Sequence, residues 1–326
     1  MWVLQIQVAF PNRLIGTRAF SPLLRGFFYQ NGGKQMMTFD EYSFFKQDRI
    51  QKIRQIYEEH DLENNAYISF SGGLDSTVLH YLFNMAVPQN KIPRLFINTG
   101  LEFILTVKFV KKLQRQDPRI KIINNDLSIT KILREHGYPV KSKDFSHKMH
   151  YVQQGKQNKS VDTFVNEKWN KLPISLKPLV QENRFPFKVN DTCCYYFKKK
   201  LANKWQKENG KKIKITGMRR EEGGNRTQLN CLLVKGDSIK AFHPLAPMTD
   251  DFIQSFVKYE NISINPLYKP PFNFKRTGCR GCPFSLTIQK DLEIMQKLLP
   301  VDYFSANSTF GNVYNLYRNI GYRLQI

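Results

Sequence analysis

The chain has 326 residues, 41% of them hydrophobic and 24% charged, with 50 Lys and Arg against 27 Asp and Glu for a formal net charge of +23. That length can bury a sizeable core, and no apolar run is long enough for a membrane helix, so an ordinary α/β protein with no membrane partner is expected. The positive surplus favours a polyanionic partner, and five cysteines with no secretory signal ahead of them argue against a structural disulfide framework.

Residues 1–35 carry Arg13, Arg18, Arg25 and Lys34 and no acidic side chain, and Met36-Met37 follows. We read 1–36 either as an extension of transit-peptide-like composition, broken by Pro11, or as the product of a start assigned too early. The main domain is expected over 37–255. A C-terminal region over 256–326 is expected to pack on the same domain, and the absence of a targeting signal leaves the cytoplasm as the expected location.

Ala66 to Phe70 form a short β-prone run, after which Ser71-Gly72-Gly73-Leu74-Asp75-Ser76 opens a helix with Val78, Leu79, Leu82 and Phe83 at helical spacing up to Pro88. The order is therefore strand, glycine turn, helix. Two glycines let a backbone approach an anion closely, and Ser71, Ser76 and Thr77 add hydroxyls beside the free N–H groups and positive end of the new helix. Nucleotide phosphate is the natural guest, although a tight loop with an N-cap needs the same residue types. The turn lacks the Gly-Lys-Ser/Thr of a Walker loop and the third glycine of a dinucleotide fingerprint.

A second strand, Arg94 to Asn98, runs into Thr99-Gly100-Leu101-Glu102-Phe103, and further strands are expected at 120–123, 213–216 and 239–242. Their alternation with helical segments predicts a parallel sheet covered on both faces, with ligand at the carboxyl ends of its strands. The stretch 137–192 has no clear periodicity and is expected to be an insertion or lid. Lysines recur through it and beyond, at 141, 143, 148, 156, 159, 168, 171 and 177 and then at 198, 199, 200, 204 and 207. Tyr151, Phe164, Trp169, Tyr195, Tyr196 and Trp205 are interleaved with them, a pattern that suits DNA or RNA as well as it suits a solvated helix face.

The hexapeptide resembles the PP-loop of the ATP pyrophosphatase superfamily. Asn98-Thr99-Gly100-Leu101-Glu102-Phe103, with Asn98 where an aspartate is usual, then Gly217-Met218-Arg219-Arg220-Glu221-Glu222 with Arg226, then His243-Pro244-Leu245 and Asn265-Pro266-Leu267-Tyr268, narrow it to resemblance with the phosphoadenosine phosphosulfate (PAPS) reductase family. That resemblance implies a Rossmann-like, adenine nucleotide alpha hydrolase-like fold. It also implies a nucleotide site at Ser71, Gly72, Gly73, Asp75, Ser76, Thr99, Gly100, Arg219, Arg220 and Arg226, taking ATP or an adenylyl nucleotide with Mg2+ as an optional companion.

Cys193-Cys194 and Cys279-x-x-Cys282 form two close pairs, a donor set for zinc or an iron-sulfur cluster. The doublet with a distant C-x-x-C is similar to the 4Fe-4S pattern of the adenylyl-sulfate reductase branch, so all four are expected as metal ligands. Cys231 is expected as a small core residue of a strand. The reductases of the family place a nucleophilic cysteine in a C-terminal tail, and this chain carries none after Cys282. Three readings follow: an enzyme using an adenylyl nucleotide in sulfur chemistry, adenylating or transferring sulfur, on a nucleic acid or with a sulfur-donor protein; a true sulfonucleotide reductase; or a non-catalytic nucleotide-sensing or nucleic-acid-binding module.

Overall fold

Thr38 begins the first helix, α1 (Phe39–Glu59), with a capping box: its hydroxyl accepts from Glu41 N, while the Glu41 carboxylate accepts from Thr38 N. Tyr42, Ile50, Ile53 and Ile56 fall on one face of α1 and are buried. The computed structural model describes residues 36–167 and 171–325, so the expected extension below Met36, together with Lys168 and Trp169, lies outside the described residues.

After the short α2 (Leu62–Asn65) come β1 (Ala66–Ser69), α3 (Leu74–Ala86), β2 (Arg94–Asn98), α4 (Ile104–Gln116) and β3 (Ile120–Asn124). Later strands are β4 (Ile213–Ile215), β5 (Leu232–Lys235) and β6 (Ser238–Phe242). They form one six-stranded sheet in the order β3-β2-β1-β4-β6-β5. The first five in that order are parallel, with Ile68 opposite both Arg94 and Ile215. The sheet is parallel as expected except at one edge, where β5 runs antiparallel to β6. Gly236-Asp237 between them leaves room only for a tight hairpin, and a two-residue connection cannot cross over to a parallel strand.

Both faces of the sheet are covered, as the alternation of side chains along β1 shows. Ala66 and Ile68 enter a core with α1, α3 and α10 (Asp250–Tyr259), whereas Tyr67 meets Trp205 of α9 (Lys200–Glu208) on the other face. A smaller core of Phe70, Phe96, Phe109, Val110, Leu113 and Ile120 seats α4.

The stretch 137–192, expected as an insertion or lid, is helical and packed. It holds α6 (Lys143–Gln153), α7 (Lys159–Val165) and α8 (Lys177–Gln181), preceded by α5 (Ile129–His136). Phe145, Met149, Leu176 and Val180 share a core with Phe310, Val313 and Tyr317 of α12 (Pro300–Asn319), with α11 (Ile288–Leu298) contributing Ile288 and Leu292. Helices of five to eleven residues are too short to display a period, and their burial comes from chain more than a hundred residues away. Residues on both sides of the expected boundary at 255/256 belong to one compact unit. Cys231 lies just ahead of β5, half-buried against the sheet core, and not within a strand.

Candidate active site

β1 ends at the sheet's carboxyl edge and the chain turns sharply there. Gly72 has φ +67°, and a Cβ on it would stand 2.7 Å from Val110 Cγ2 of α4, so both the turn and the neighbouring helix require glycine. The turn is closed by its own hydroxyls: Ser71 N donates to Ser76 Oγ at 3.2 Å, and Ser76 Oγ and Thr77 Oγ1 donate to Gly73 O at 3.0 and 2.8 Å. Asn265 Nδ2 donates to Gly72 O at 3.2 Å and to Thr106 Oγ1 at 2.8 Å, which fixes the turn against α4. Leu74 N, the first free N–H of α3, donates to the Tyr268 hydroxyl at 3.1 Å, and that hydroxyl is 2.8 Å from Thr277 Oγ1. The tyrosine oxygen thus stands where a helix N-terminus receives an anion.

At the exit of β2, Thr99 N and Oγ1 both donate to Glu102 Oε2, at 2.7 and 2.9 Å, and Gly100 takes φ +80°. Glu102 is buried and its other oxygen lies 3.0 Å from Lys198 Nζ. Asn98 Nδ2 donates to Asn124 Oδ1 at 2.9 Å, while its Oδ1 accepts from Gly100 N at 3.4 Å. Burial works against the charge on Lys198, but Cys279, Glu102 and Cys194 outweigh it and raise its pKa. In the sequence Lys198 was one lysine in a run; its tertiary position makes it the cation between the β2 exit and the cysteines.

The arginines divide. Arg219 is buried and bonded to Asp75 Oδ1 at 2.7 Å, Glu221 Oε2 at 3.0 Å and Asp250 Oδ1 at 2.6 Å, so its guanidinium is already saturated with carboxylates. Burial raises the Asp75 carboxyl above its ordinary range despite the opposing pull of Arg219. Arg220 Nε donates to Leu229 O at 2.7 Å, and Arg226 pairs with Glu222 at the half-exposed edge of the same loop. A Cβ on Gly217 would stand 2.8 Å from Asp75 O, so β4 delivers this arginine loop directly onto the start of α3.

The two cysteine pairs approach each other. Cys193 and Cys194 precede a π-helical turn (Tyr195–Lys199) that leads into α9. Cys279 and Cys282 lie on a loop pinned to the β2 exit: Arg280 N donates to Leu101 O at 2.8 Å, and its guanidinium donates to Gly100 O, Glu102 O and Asp302 Oδ1 at 2.6, 3.0 and 3.1 Å. The Cys193 thiol is pushed up, first by its hydrogen bond with Cys194 and then by burial and the charges of Cys194, Cys282 and Cys279. That hydrogen bond draws Cys194 down, helped by Lys143, Lys198 and Lys199. Burial pushes up Cys279, and pushes Cys282 up to about 12. All four thiols are therefore electrostatic neighbours. Among the described residues no three His, Cys, Asp or Glu side chains stand in metal-holding geometry. The two segments thus bring four thiols towards the Lys198 ammonium without the geometry of a formed metal site.

Most of the aromatics expected to stack on bases are engaged within the fold. Tyr196 stacks on His136 at 4.2 Å, Phe164 meets Phe145 edge-on and Trp205 meets Tyr67, while Tyr195 is half exposed. Of the described aromatics in this run, Tyr195 keeps the most open ring face.

The phosphoadenosine phosphosulfate reductase domain model matches residues 65–285. An uncharacterized protein of Methanocaldococcus jannaschii is 25% identical over 262 residues, which cover 77% of this chain and 51% of that protein. The chain thus spans about half the length of the curated relative it matches. Among solved structures, a PAPS reductase from Candida auris is similar with TM-score 0.41 and 14% identity, over 76% of this chain and 98% of that one. An NH3-dependent NAD synthetase from Campylobacter jejuni gives TM-score 0.38 and 14% identity, over 87% and 98%.

Proposed function

From the premise that this chain belongs to the phosphoadenosine phosphosulfate reductase domain family, we propose that it binds ATP or an adenylyl nucleotide at Ser71–Ser76 and uses it in sulfur chemistry. The observation that carries this reading is the β1 turn, with Gly72 at positive φ and Gly73 opening α3, set at the same edge of the sheet as the four thiols. Nucleotide phosphate would displace the Tyr268 hydroxyl from Leu74 N and receive the other free N–H groups at the start of α3. Arg219 acts indirectly in this reading, by holding Asp75 and so the first turn of α3, while Arg226, at the edge, reaches the anion by exchanging Glu222 for it.

The reaction class we favour is adenylyl transfer. An acceptor oxygen attacks the α-phosphorus, pyrophosphate leaves, and a sulfur nucleophile then displaces AMP. Cys193, Cys194, Cys279 and Cys282 would hold a 4Fe-4S cluster, or zinc in its place. When bound, that centre would staple the two segments beside the nucleotide and supply electron or sulfur transfer. Lys198 would balance its negative charge and tie it, through Glu102 and Thr99, to the β2 exit.

The test is equilibrium binding of ATP to anaerobically purified protein, with AMP and pyrophosphate followed as products. Gly73→Val puts a branched side chain within 3.3 Å of the Tyr268 hydroxyl and should abolish binding in a folded protein. A folded variant that binds ATP like the parent would remove the phosphate site. Iron and sulfide in equal amounts should accompany the protein, and their loss on Cys279→Ser is expected; stoichiometric zinc alone would replace the cluster.

A further inference from the structure

We propose that a cleft at the amino ends of β2 and β3 binds an uncharged lactam or imide ring, of the kind found in hypoxanthine and uracil, at a second site away from the glycine turn. The cleft lies between the second half of α3 and the end of α4 and has a volume of about 460 Å³. Sites for small organic molecules measure about 300 to 1,000 Å³, so a compound of nucleoside size fits. None of the lining residues comes from the turn. Helix α3 rises about 1.5 Å per residue, which puts His80 and Asn84 about 9 and 15 Å beyond Leu74.

The charged groups around the cleft are spent on one another. Arg119 Nε and Nη2 donate to the two oxygens of Asp117, each at 2.7 Å. Arg94, wholly buried behind them, donates from Nη1 to Asn90 Oδ1 and from Nη2 to Asn84 Oδ1, each at 2.7 Å, and Arg119 Nη2 shares Asn84 Oδ1 at 3.0 Å. Among the described residues that line the cleft, no cation is left to hold an anion and no carboxylate is left to hold a cation. What remains open is neutral. His80 lines the cleft at 4% exposure, and its Nδ1 has no hydrogen-bond partner among the described residues. Asp117 Oδ2 stands 3.8 Å from Nε2, which favours the tautomer with its proton there and leaves Nδ1 as an acceptor. Burial, then the charge of Arg94 and, less, that of Arg119, lower the His80 pKa to about 4 against the pull of Asp117, so the imidazole is uncharged at neutral pH. A buried acceptor without a donor is unfavourable, and an N–H of a ligand would meet it.

The other open groups are donors. Asn84 has its oxygen turned to the two arginines, which leaves its Nδ2 hydrogens for a ligand. The side-chain amides of Gln89 and Gln116 stand at the exposed rim without a partner among the described residues. Pro88, Pro118 and Leu113 supply apolar surface for a ring. One acceptor at the floor with amide donors around it is the complement of a ring N–H beside carbonyl oxygens, and the opposite of a base that presents a bare ring nitrogen.

The experiment is calorimetric titration of the whole protein with uridine and with inosine. At least one should bind saturably. 3-Methyluridine and 1-methylinosine, in which a methyl group replaces the ring N–H hydrogen, should bind at least tenfold more weakly, a comparison that leaves the protein untouched. His80→Leu should cause a similar loss, and Gln116→Ala at the exposed rim a loss of about threefold, which keeps the test open should the His80 variant fail to fold. Gly73→Val should lose ATP and retain the nucleoside, so failure of the nucleotide reading leaves this one standing. Saturating ATP should leave nucleoside affinity unchanged in the parent. Absence of binding by both nucleosides would overturn the proposal, as would methylated probes that bind like their parents. Binding that ATP competes away, or that disappears in folded Gly73→Val, would assign the nucleoside to the glycine turn and overturn it too.

Discussion

Replacing Gly72 with alanine brings in two separable penalties. The residue sits at φ +67°, where an L side chain costs about 1 to 2 kcal/mol. Its Cβ would also stand 2.7 Å from Val110 Cγ2 and 3.2 Å from Thr106 Cγ2, and overpacking of this kind costs about 1 to 3 kcal/mol. Together they amount to about 2 to 5 kcal/mol, a large part of the 5 to 15 kcal/mol that typically holds a folded domain. The two are separated by Val110→Ala, which removes the obstructing methyl while leaving the backbone angle untouched. Alone, that change should destabilise by about 2 kcal/mol, because Val110 is wholly buried. In urea unfolding, the double variant should be about 1 to 2 kcal/mol more stable than the sum of the single losses. Nucleotide affinity should fall in both variants carrying alanine at 72. Additivity within about 0.5 kcal/mol would refute the reasoning, since it would mean that α4 does not hold the turn.

Burial, followed by the charge of Arg94, lowers His80 from 6.5 to about 4, so the unfolded chain binds more protons between those values. Stability should therefore fall as pH drops through about 6.5 to 4, by at most about 3 kcal/mol from this group, and His80→Gln should flatten that part of a pH series of urea midpoints. A slope unchanged in the variant would place the titration elsewhere. Arg219→Met strands Asp75, Glu221 and Asp250 around an apolar side chain. The expected loss is about 2 to 3 kcal/mol, less than for a fully buried pair because Glu221 and Asp250 keep contact with water, whereas Arg226→Ala at the exposed edge should cost under about 0.5 kcal/mol. Equal losses in thermal unfolding would contradict the division of roles between the two arginines.

The sequence by itself determined the part of this protein whose signals are local. Strand, glycine turn and helix from Ala66 to Ala86 lie within about twenty consecutive residues, so alternation, turn chemistry and helical period could each be recognised without the rest of the chain. The remaining parallel strands and the two cysteine pairs were legible for the same reason. The tertiary structure decided what depended on distant partners. Helices α6 to α8 are short, and their burial waits on α11 and α12. Arg219 and Arg226 are seven positions apart and read alike, yet only Arg219 is claimed by Asp75 and Asp250 from other elements. Lys198 resembled its neighbours until Glu102 and the thiols closed around it. Charge and hydrogen-bonding roles are set by which groups share a few ångströms of low-dielectric space, and that proximity is created by the packing of the sheet and its helices.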